Sequence, residues 1–264
     1  MIYKIKNIFN NKKESLYNIE VQIVDHCNLN CYGCTHYSTL AKENFIDINN
    51  FKNDIEELSK KIDLNKFRIM GGEPLLHPNI INFLEESRKY LPNTKICLVT
   101  NGILLPKMNI EFWNALRNNN IQIDITKYPP LNDNFSKYLD LCDEYGVKIG
   151  DIHVANKFWF IFNPSGDSDL LQTFNNCTQK NCKNLRNGKL YHCPTSLYID
   201  FYNKYFNKNI PVSPGIDIYS NSSKEIINFF NTPIETCKFC VDQSKPWHLQ
   251  TWKKTTYNEN EWNY

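Results

Sequence analysis

Three cysteines near the start of the chain constrain its fold and chemistry more than any other feature. Cys27, Cys31 and Cys34 lie in the run CNLNCYGC, with the spacing CxxxCxxC. A [4Fe–4S] cube has four irons, and each iron normally takes one cysteine thiolate. Three thiolates would therefore leave the fourth iron free to bind a small molecule. The same spacing also suits half of a zinc site, so both interpretations stay open on this motif alone.

Two further motifs each follow an apolar run that is typical of a buried strand. The first is MGGEP, which contains Gly71 and Gly72, and the second is the TNG that ends KICLVTNG. Paired glycines let the backbone approach a ligand closely, because a Cβ would intrude. Taken singly, each motif is also compatible with an ordinary turn.

The order and spacing of the three motifs resemble those of the radical S-adenosylmethionine (SAM) superfamily. The resemblance implies that Cys27, Cys31 and Cys34 hold a [4Fe–4S] cluster whose open iron binds SAM as a second cofactor. In this superfamily an aromatic or aliphatic residue usually precedes the third cysteine and packs near the adenine, whereas here that residue is Gly33. The SAM contacts implied by the resemblance are Gly33, Met70, Gly71, Gly72, Glu73, Asn101 and Thr126.

Strands and helices are predicted to alternate over the first 162 residues. Apolar periodicity predicts strands at 17–24, 67–70, 96–100, 121–126, 147–149 and 158–162, and helices at 48–62, 79–90, 109–117 and 135–145. Such alternation requires right-handed crossovers and a parallel sheet. All three motifs fall at the carboxyl ends of predicted strands, where folds of this kind bind ligands.

A second group of cysteines follows where the alternation stops. Its members are Cys177, Cys182, Cys193, Cys237 and Cys240. Asn187-Gly188 predicts a two-residue hairpin that returns Cys193 towards Cys177 and Cys182, and helices are predicted at 196–206 and 224–230. The group resembles the auxiliary-cluster region of SPASM and twitch domains, and the shorter twitch form is the better match. This resemblance implies a second, auxiliary [4Fe–4S] cluster.

Five cysteines are available for the four ligand positions of that cluster. Spacing favours Cys177, Cys193, Cys237 and Cys240, but Cys182 could replace Cys177 or leave one of the last two free. A structural zinc site is the alternative, since the same thiolates would suit it. The remaining two cysteines, Cys97 and Cys142, are predicted to be core residues, because free cysteine behaves as a small hydrophobe.

These features predict an α/β fold, a partial (β/α)6 barrel with a small C-terminal hairpin-plus-helix auxiliary-cluster domain. The predicted divisions are an N-terminal extension at 1–16, the radical SAM barrel at 17–170, a twitch-like domain at 171–245 and a tail at 246–264. The tail, with Trp247, Trp252 and Trp262, is expected to pack over the domain. Residues near strand ends that could contact substrate, although each is more often structural, are His36, Tyr37, Lys127, Tyr128 and His153.

Composition narrows the class of protein further. The formal net charge is only +2, from 30 basic and 28 acidic residues, so no basic surface for nucleic acid is expected. No signal peptide or membrane-spanning apolar run is evident, and no membrane partner is expected. Ten cysteines without a secretion signal indicate metal ligation in the cytoplasm, where thiols stay reduced. A flavodoxin- or ferredoxin-type protein is the expected electron donor.

The resemblance implies reductive cleavage of SAM to a 5′-deoxyadenosyl radical that abstracts a hydrogen atom from a substrate. An auxiliary cluster favours oxidation, and the layout resembles that of 2-deoxy-scyllo-inosamine dehydrogenase, which suggests a small, sugar-like substrate. The alternatives are modification of a ribosomal peptide, radical epimerisation with a spare cysteine as hydrogen donor, and a non-catalytic zinc or iron protein. About sixteen residues precede the first predicted strand, too few for the winged-helix domain expected of a peptide-modifying enzyme. The sequence identifies no catalytic acid or base.

Overall fold

An open sheet of eight strands organises the molecule, which is a computed structural model that describes residues 13–244 and 249–263. The strand order is β5-β4-β3-β2-β1-β7-β8-β9, and β6 pairs separately with β10. The strands are β1 (Glu14–Gln22), β2 (Ile62–Met70), β3 (Lys95–Thr100), β4 (Gln122–Lys127), β5 (Ile149–Val154), β6 (Lys157–Trp159), β7 (Lys183–Arg186), β8 (Lys189–Tyr191), β9 (Ile216–Asp217) and β10 (Leu249–Thr251). The helices are α1 (Ile48–Lys61), α2 (Ile80–Tyr90), α3 (Ile110–Asn118), α4 (Phe135–Glu144), α5 (Leu170–Asn175), α6 (Pro194–Phe206) and α7 (Ser223–Phe230).

The helices form because their apolar residues recur at helical spacing and face the sheet. In α1, Phe51, Ile55 and Leu58 are buried, and the carboxylate of Asp47 caps the helix by accepting hydrogen bonds from the amides of residues 49 and 50. Their partners are strand residues such as Ile19 of β1, which is fully buried. This packing fixes the helices on the sheet and leaves the carboxyl ends of the strands to form the site.

The predicted α/β partial barrel is confirmed, but its sixth parallel strand comes from a different part of the chain. Strands β1 to β5 are parallel to their neighbours, and β7 extends the parallel set by pairing with β1 at Ile19, Glu20 and Val21. The prediction of a sixth barrel strand at 158–162 is wrong. Only Lys157–Trp159 is a strand, and it pairs antiparallel with β10 of the tail.

The fifth strand is also displaced from its predicted position at 147–149. It covers Ile149–Val154, so that Asp151 and His153 lie on β5 rather than in a loop. At Gly150 an added Cβ would lie 1.7 Å from Nε2 of Gln122, which shows how closely β5 approaches β4 there. The predicted segment overlaps the strand only at Ile149, because β5 is the edge of the sheet, where Ile152 and Val154 are exposed and give no buried apolar pattern.

The cysteine-rich region contains the predicted hairpin and both predicted helices. Asn187 and Gly188 have φ values of +48° and +72°, the left-handed conformation that a two-residue hairpin turn between β7 and β8 requires. Helices α6 and α7 begin within two residues of their predicted starts. Because the sheet continues from β1 into β7, the division into domains near residue 170 stays a prediction. In the described parts of the chain, no helix is both long and apolar enough to cross a membrane.

Candidate active site

The first three cysteines lie in a loop that follows β1 and line one cavity of about 580 Å³. β1 ends at Gln22, and Cys27, Cys31 and Cys34 follow on irregular backbone. The cavity is also lined by residues from the carboxyl ends of β2 to β5, including Met70, Thr100 and Thr126. The position agrees with the rule that parallel sheets bind ligands at the carboxyl ends of their strands.

The two glycines of MGGEP allow the chain to pack against the cysteine loop. The amide of Gly72 donates a hydrogen bond to the carbonyl of Val24 at 2.7 Å. A Cβ on Gly72 would lie 2.1 Å from the carbonyl oxygen of His26, and one on Gly71 would lie 2.6 Å from that of Val24. Both distances are far too short for real contacts, so the glycines are needed for backbone packing as well as for any approach to SAM.

Glu73 ties the MGGEP segment to the TNG segment. Its carboxylate accepts hydrogen bonds from the Thr100 hydroxyl at 2.6 Å and from the Asn101 amide at 2.9 Å. It also caps the short turn that follows by accepting from the amide of Leu75 at 3.0 Å. The side chain is completely buried, and burial raises its pKa to about 7. Glu73 thus braces the walls from behind the cavity surface.

Hydrogen-bond donors from several segments reach the sulfur atoms of the first three cysteines. The indole Nε1 of Trp252 lies 3.2 Å from Sγ of Cys31, and the side-chain Nδ2 of Asn101 lies 3.9 Å from Sγ of Cys27. Backbone amides of residues 36 to 39 point at Cys34. Burial raises the pKa of Cys31 to about 12, with further upward pressure from Cys34, whereas the Trp252 contact lowers it. Such donors favour thiolates, the form in which cysteine binds iron.

The tail packs over the cysteine loop, as predicted for Trp252 and Trp262. Nε1 of Trp262 donates to the carbonyl of Cys34 at 3.1 Å, and the amide of Tyr32 donates to the carbonyl of Lys253 at 3.0 Å. Gly33 faces this tail: its φ is +59°, and a Cβ would lie 2.9 Å from the carbonyl oxygen of Glu261 and 3.3 Å from the ring of Phe160. The glycine thus packs on the tail. Trp247 lies outside the described residues.

The remaining candidates divide into those that line the cavity and those that do not. Tyr37 and Lys127 are not among the residues that line it. Tyr37 is buried, with its ring centroid 6.0 Å from that of Tyr202, and Nζ of Lys127 lies 4.8 Å from the ring centroid of Phe135. Burial and the nearby Arg68 charge lower the pKa of His36 to about 4, which keeps its ring neutral. The sequence-predicted residues that line the cavity are His36, Met70, Gly71, Gly72, Asn101, Thr126, Tyr128 and His153.

Sequence reasoning missed a charged group in the first cavity. Arg68 on β2 lies 3.3 Å from the Glu20 carboxylate on β1 and 3.5 Å from that of Asp124 on β4. Glu20 and Arg68 line the cavity, together with Asp151 on β5. The signal in the sequence is a charged residue inside an otherwise apolar strand, which indicates an inward-facing polar side chain.

Four of the five later cysteines line a second cavity of about 400 Å³. Cys177, Cys193, Cys237 and Cys240 line it, together with apolar side chains such as Phe174, Ile227 and Phe230 and with Lys180 and Lys183. Burial and then the charges of Cys193, Cys177 and Cys237 hold the pKa of Cys240 well above its usual value. The four thiols are therefore electrostatic neighbours, although more than 40 residues separate Cys193 from Cys237.

Cys193 is placed at the start of a helix. Its sulfur accepts a hydrogen bond from the Ser196 amide at 3.4 Å and so caps α6. Burial, and next the Cys177 charge, raise its pKa to about 12. Cys237 and Cys240 lie at a single turn, in which the Cys240 amide donates to the Cys237 carbonyl at 3.1 Å.

Cys182 lines the first cavity and is not among the residues that line the second. Burial and the Glu20 carboxylate raise its pKa, although the neighbouring thiols that raise it further are Cys193 and Cys177. Cys97 and Cys142 are fully buried, as predicted.

Comparison with known proteins supports this architecture. Residues 21–150 match the Radical SAM superfamily, so the chain carries a radical SAM domain. A GTP 3′,8-cyclase of Petrotoga mobilis is 35% identical over 147 residues, covering 52% of this chain and 42% of that protein. One from Trichodesmium erythraeum is 30% identical over 111 residues, covering 40% and 34%. The chain thus spans less than half the length of these curated relatives.

Solved structures share the fold over most of the chain. BtrN in complex with AdoMet and 2-DOIA superimposes with a TM-score of 0.57 at 19% identity, covering 87% of this chain and 94% of that one. Native anSMEcpe with bound AdoMet gives a TM-score of 0.53 at 14% identity, covering 85% and 82%. At these identities the likeness establishes the fold alone.

Proposed function

We propose that the protein is a radical SAM oxidoreductase that oxidises a small polar, sugar-like substrate and uses an auxiliary [4Fe–4S] cluster as electron acceptor. The observation that carries the proposal is the separation of the cysteines into two cavities. The CxxxCxxC thiols line the first, and Cys177, Cys193, Cys237 and Cys240 line the second. Three ligands leave one iron of a cluster open for SAM, whereas four ligands complete a cluster.

The first cavity fits a cluster with SAM. Its three CxxxCxxC thiols receive N–H donors from Trp252, from Asn101 and from the backbone near Cys34, which suit negatively charged sulfur ligands. Met70, Gly71, Gly72, Asn101 and Thr126 would hold SAM against it. When bound, the cluster and SAM supply a carbon-centred radical able to remove a hydrogen atom from a substrate.

The second cavity has room for a cluster. Its four thiols line a volume of about 400 Å³, together with apolar side chains such as Phe174, Ile227 and Phe230. A cluster there would supply a one-electron acceptor, and burial would shield it from solvent.

The walls of the first cavity support a small polar substrate. Its volume of about 580 Å³ must hold SAM as well as substrate, which limits the substrate's size. Glu20, Arg68 and Asp151 present charges to it, and Thr126 and Tyr128 present hydroxyls. Hydroxyl and amino groups of a sugar-like molecule would pair with these side chains, which would orient the carbon to be attacked and exclude water from it.

The proposal includes a flavodoxin- or ferredoxin-type electron donor and a cytoplasmic location. GTP cyclisation, as named for the partial relatives, and peptide modification are the alternative activities. Radical epimerisation is a third alternative activity. One observation supports it, namely that Cys182 lines the first cavity.

The test is anaerobic reconstitution followed by assay of 5′-deoxyadenosine formation with three probes: an aminocyclitol polyol, GTP and a cysteine-containing peptide. The proposal predicts that the aminocyclitol accelerates 5′-deoxyadenosine formation and gives a product lighter by two hydrogens. Stimulation by GTP or peptide alone would contradict it.

A further inference from the structure

Positive side chains line the second cavity together with its thiols. The charged residues among those that line it are Lys180 and Lys183, and none of the described residues that line it is Asp or Glu. The cavity is also lined by His192, whose pKa burial lowers from the usual value of a histidine, so that its ring is neutral. The positive charge at this cavity therefore comes from the two lysines.

Each lysine is held beside the cavity by a backbone carbonyl and an aromatic ring. Nζ of Lys180 donates to the carbonyl of Asn175 at 2.5 Å and lies 5.3 Å from the ring centroid of Phe174. Nζ of Lys183 donates to the carbonyl of Lys180 at 2.5 Å and lies 5.1 Å from the ring centroid of Phe230. Both rings also line the cavity, so these contacts keep the two ammonium groups at its wall.

The charges that act on these lysines and their neighbours are those of sulfur rather than of carboxylates. Burial lowers the pKa of Lys183, and the negative charge that opposes this shift is that of Cys182. Burial raises the pKa of the Cys177 thiol, and the Lys180 charge acts against that rise. A cation at a partly apolar wall is stabilised by a nearby anion. The arrangement therefore suits a negatively charged group held by the thiols of the second cavity.

The uptake of an electron makes such a group more negative. An iron–sulfur cluster held by four thiolates is an anion, and reduction adds one further negative charge. Away from water this additional charge is costly, unless positive charge lies close by. Net charge and surroundings are among the factors that set the reduction potential of a cluster. Fixed ammonium groups at the wall would therefore favour the reduced form.

We propose that Lys180 and Lys183 raise the reduction potential of the auxiliary cluster and so make it a better electron acceptor. The inference rests on the proposed function, in which the second cavity holds that cluster. In the proposed oxidation, the substrate radical loses one electron and one proton as its C–O bond becomes a carbonyl. The two ammonium groups stabilise the transferred electron until the flavodoxin- or ferredoxin-type protein takes it up. They act on the potential and do not contact the substrate.

The test is a redox titration followed by EPR on the anaerobically reconstituted full chain. The parent for the comparison carries Ala at positions 27, 31 and 34, so that its signal comes from the second cavity alone. At the midpoint potential of this parent, Lys180→Met/Lys183→Met should lower the ratio of reduced to oxidised cluster about tenfold, equivalent to about 59 mV for one electron. The same comparison in the chain with its native cysteines follows the EPR signal that added SAM leaves unchanged.

Two control variants separate the effect of charge from that of packing. Lys180→Arg/Lys183→Arg keeps both positive charges, and its ratio should stay within about twofold of the parent. Lys189→Met removes a lysine of β8 that donates to the Pro214 carbonyl and is not among the residues that line the cavity, and it should leave the ratio unchanged. All variants should retain about four irons per chain. An unchanged ratio in the methionine double variant, or an equal fall in the arginine double variant, would overturn the proposal.

These measurements separate the inference from the proposed function. The titration needs no substrate, so failure to oxidise the aminocyclitol would refute the proposed oxidation and leave a measured shift in potential standing. An unchanged potential in the methionine double variant, with about four irons present, would remove the role of the lysines alone. A parent chain with zinc in place of iron and no EPR signal would refute the auxiliary cluster and this inference together.

Discussion

The two thiol-lined cavities differ in ligand number, wall chemistry and origin. The first has the three motif thiols, with charged walls that include Glu20, Arg68 and Asp151 at strand ends. The second has four thiols, contributed by turns and a helix start, and its walls combine apolar side chains such as Phe174 and Phe230 with Lys180 and Lys183. The comparison shows how one type of ligand can serve two purposes. An incomplete thiolate set leaves a position for a bound molecule, whereas a complete set suits electron transfer.

Removal of the first three thiols should have the largest effect. With Cys27, Cys31 and Cys34 all replaced by Ala, iron should fall from about eight to about four per chain, and SAM cleavage should be abolished. The double variant Cys97→Ala/Cys142→Ala is the control, because these two thiols lie in the core. Iron analysis and a 5′-deoxyadenosine assay check the prediction. Unchanged iron in the triple variant would refute the assignment of the first cavity.

Disruption of the second cavity should separate SAM cleavage from product formation. Cys193→Ser should halve the iron but leave SAM cleavage measurable, because the first cavity is intact. Oxidation of the aminocyclitol should fall much further, as the substrate radical loses its electron acceptor. Circular dichroism should accompany the assay, since metal binding and folding are often coupled. Full product turnover by a folded variant would leave the second cluster a purely structural one.

Gly72→Ala tests what the glycine pair does. The new Cβ would meet the His26 backbone beside Cys27, so first-cluster iron and SAM affinity should fall together. Thr126→Ala is the matched comparison, because Thr126 lines the same cavity from β4 rather than from the MGGEP segment; it should weaken SAM binding with iron unchanged. Equilibrium SAM binding and iron counting distinguish the two. Full iron with weak SAM binding in Gly72→Ala would mean that the glycine serves the ligand approach alone.

Trp252→Phe should have the smallest effect. It removes the N–H donor 3.2 Å from Sγ of Cys31 while leaving an aromatic ring in place. Hydrogen bonds to cluster sulfurs raise the reduction potential, so the first cluster should become harder to reduce by about 40 mV, equivalent to about 1 kcal/mol for one electron. A redox titration followed by EPR measures this, with iron content as the control. An unchanged potential would indicate that the tail covers the cluster without tuning it.

Sequence periodicity located the parallel strands that carry the motifs because their residues are buried and strongly apolar. It failed at β5 and at residues 158–162 for a common reason. β5 is an edge strand whose apolar residues Ile152 and Val154 are exposed, and the aromatic run after it pairs with the tail, so neither segment has the pattern of a central strand. Pairing of β7 with β1 joins residues about 160 positions apart, which no local pattern can predict.

The candidate site was predictable where chemistry depends on spacing and not where it depends on packing. The cysteine motifs identified both thiol sets, but spacing left Cys177 and Cys182 interchangeable. The structure places them in different cavities, because Asn181 and Asn184 hold Cys182 beside β1. Gly33 and Glu73 were expected to contact SAM. The structure instead shows Gly33 against the tail and Glu73 behind the cavity wall, and their SAM contacts stay predictions.

The central claim is that two thiol sets hold two clusters of the same kind. The most direct test of it is the metal content of the wild-type chain. After anaerobic reconstitution, iron, sulfide and zinc should be counted on the same sample by elemental and colorimetric analysis. Two [4Fe–4S] clusters predict about eight irons and about eight sulfides per chain, with no stoichiometric zinc. About four irons together with one zinc would contradict the claim and make the second cavity a zinc site.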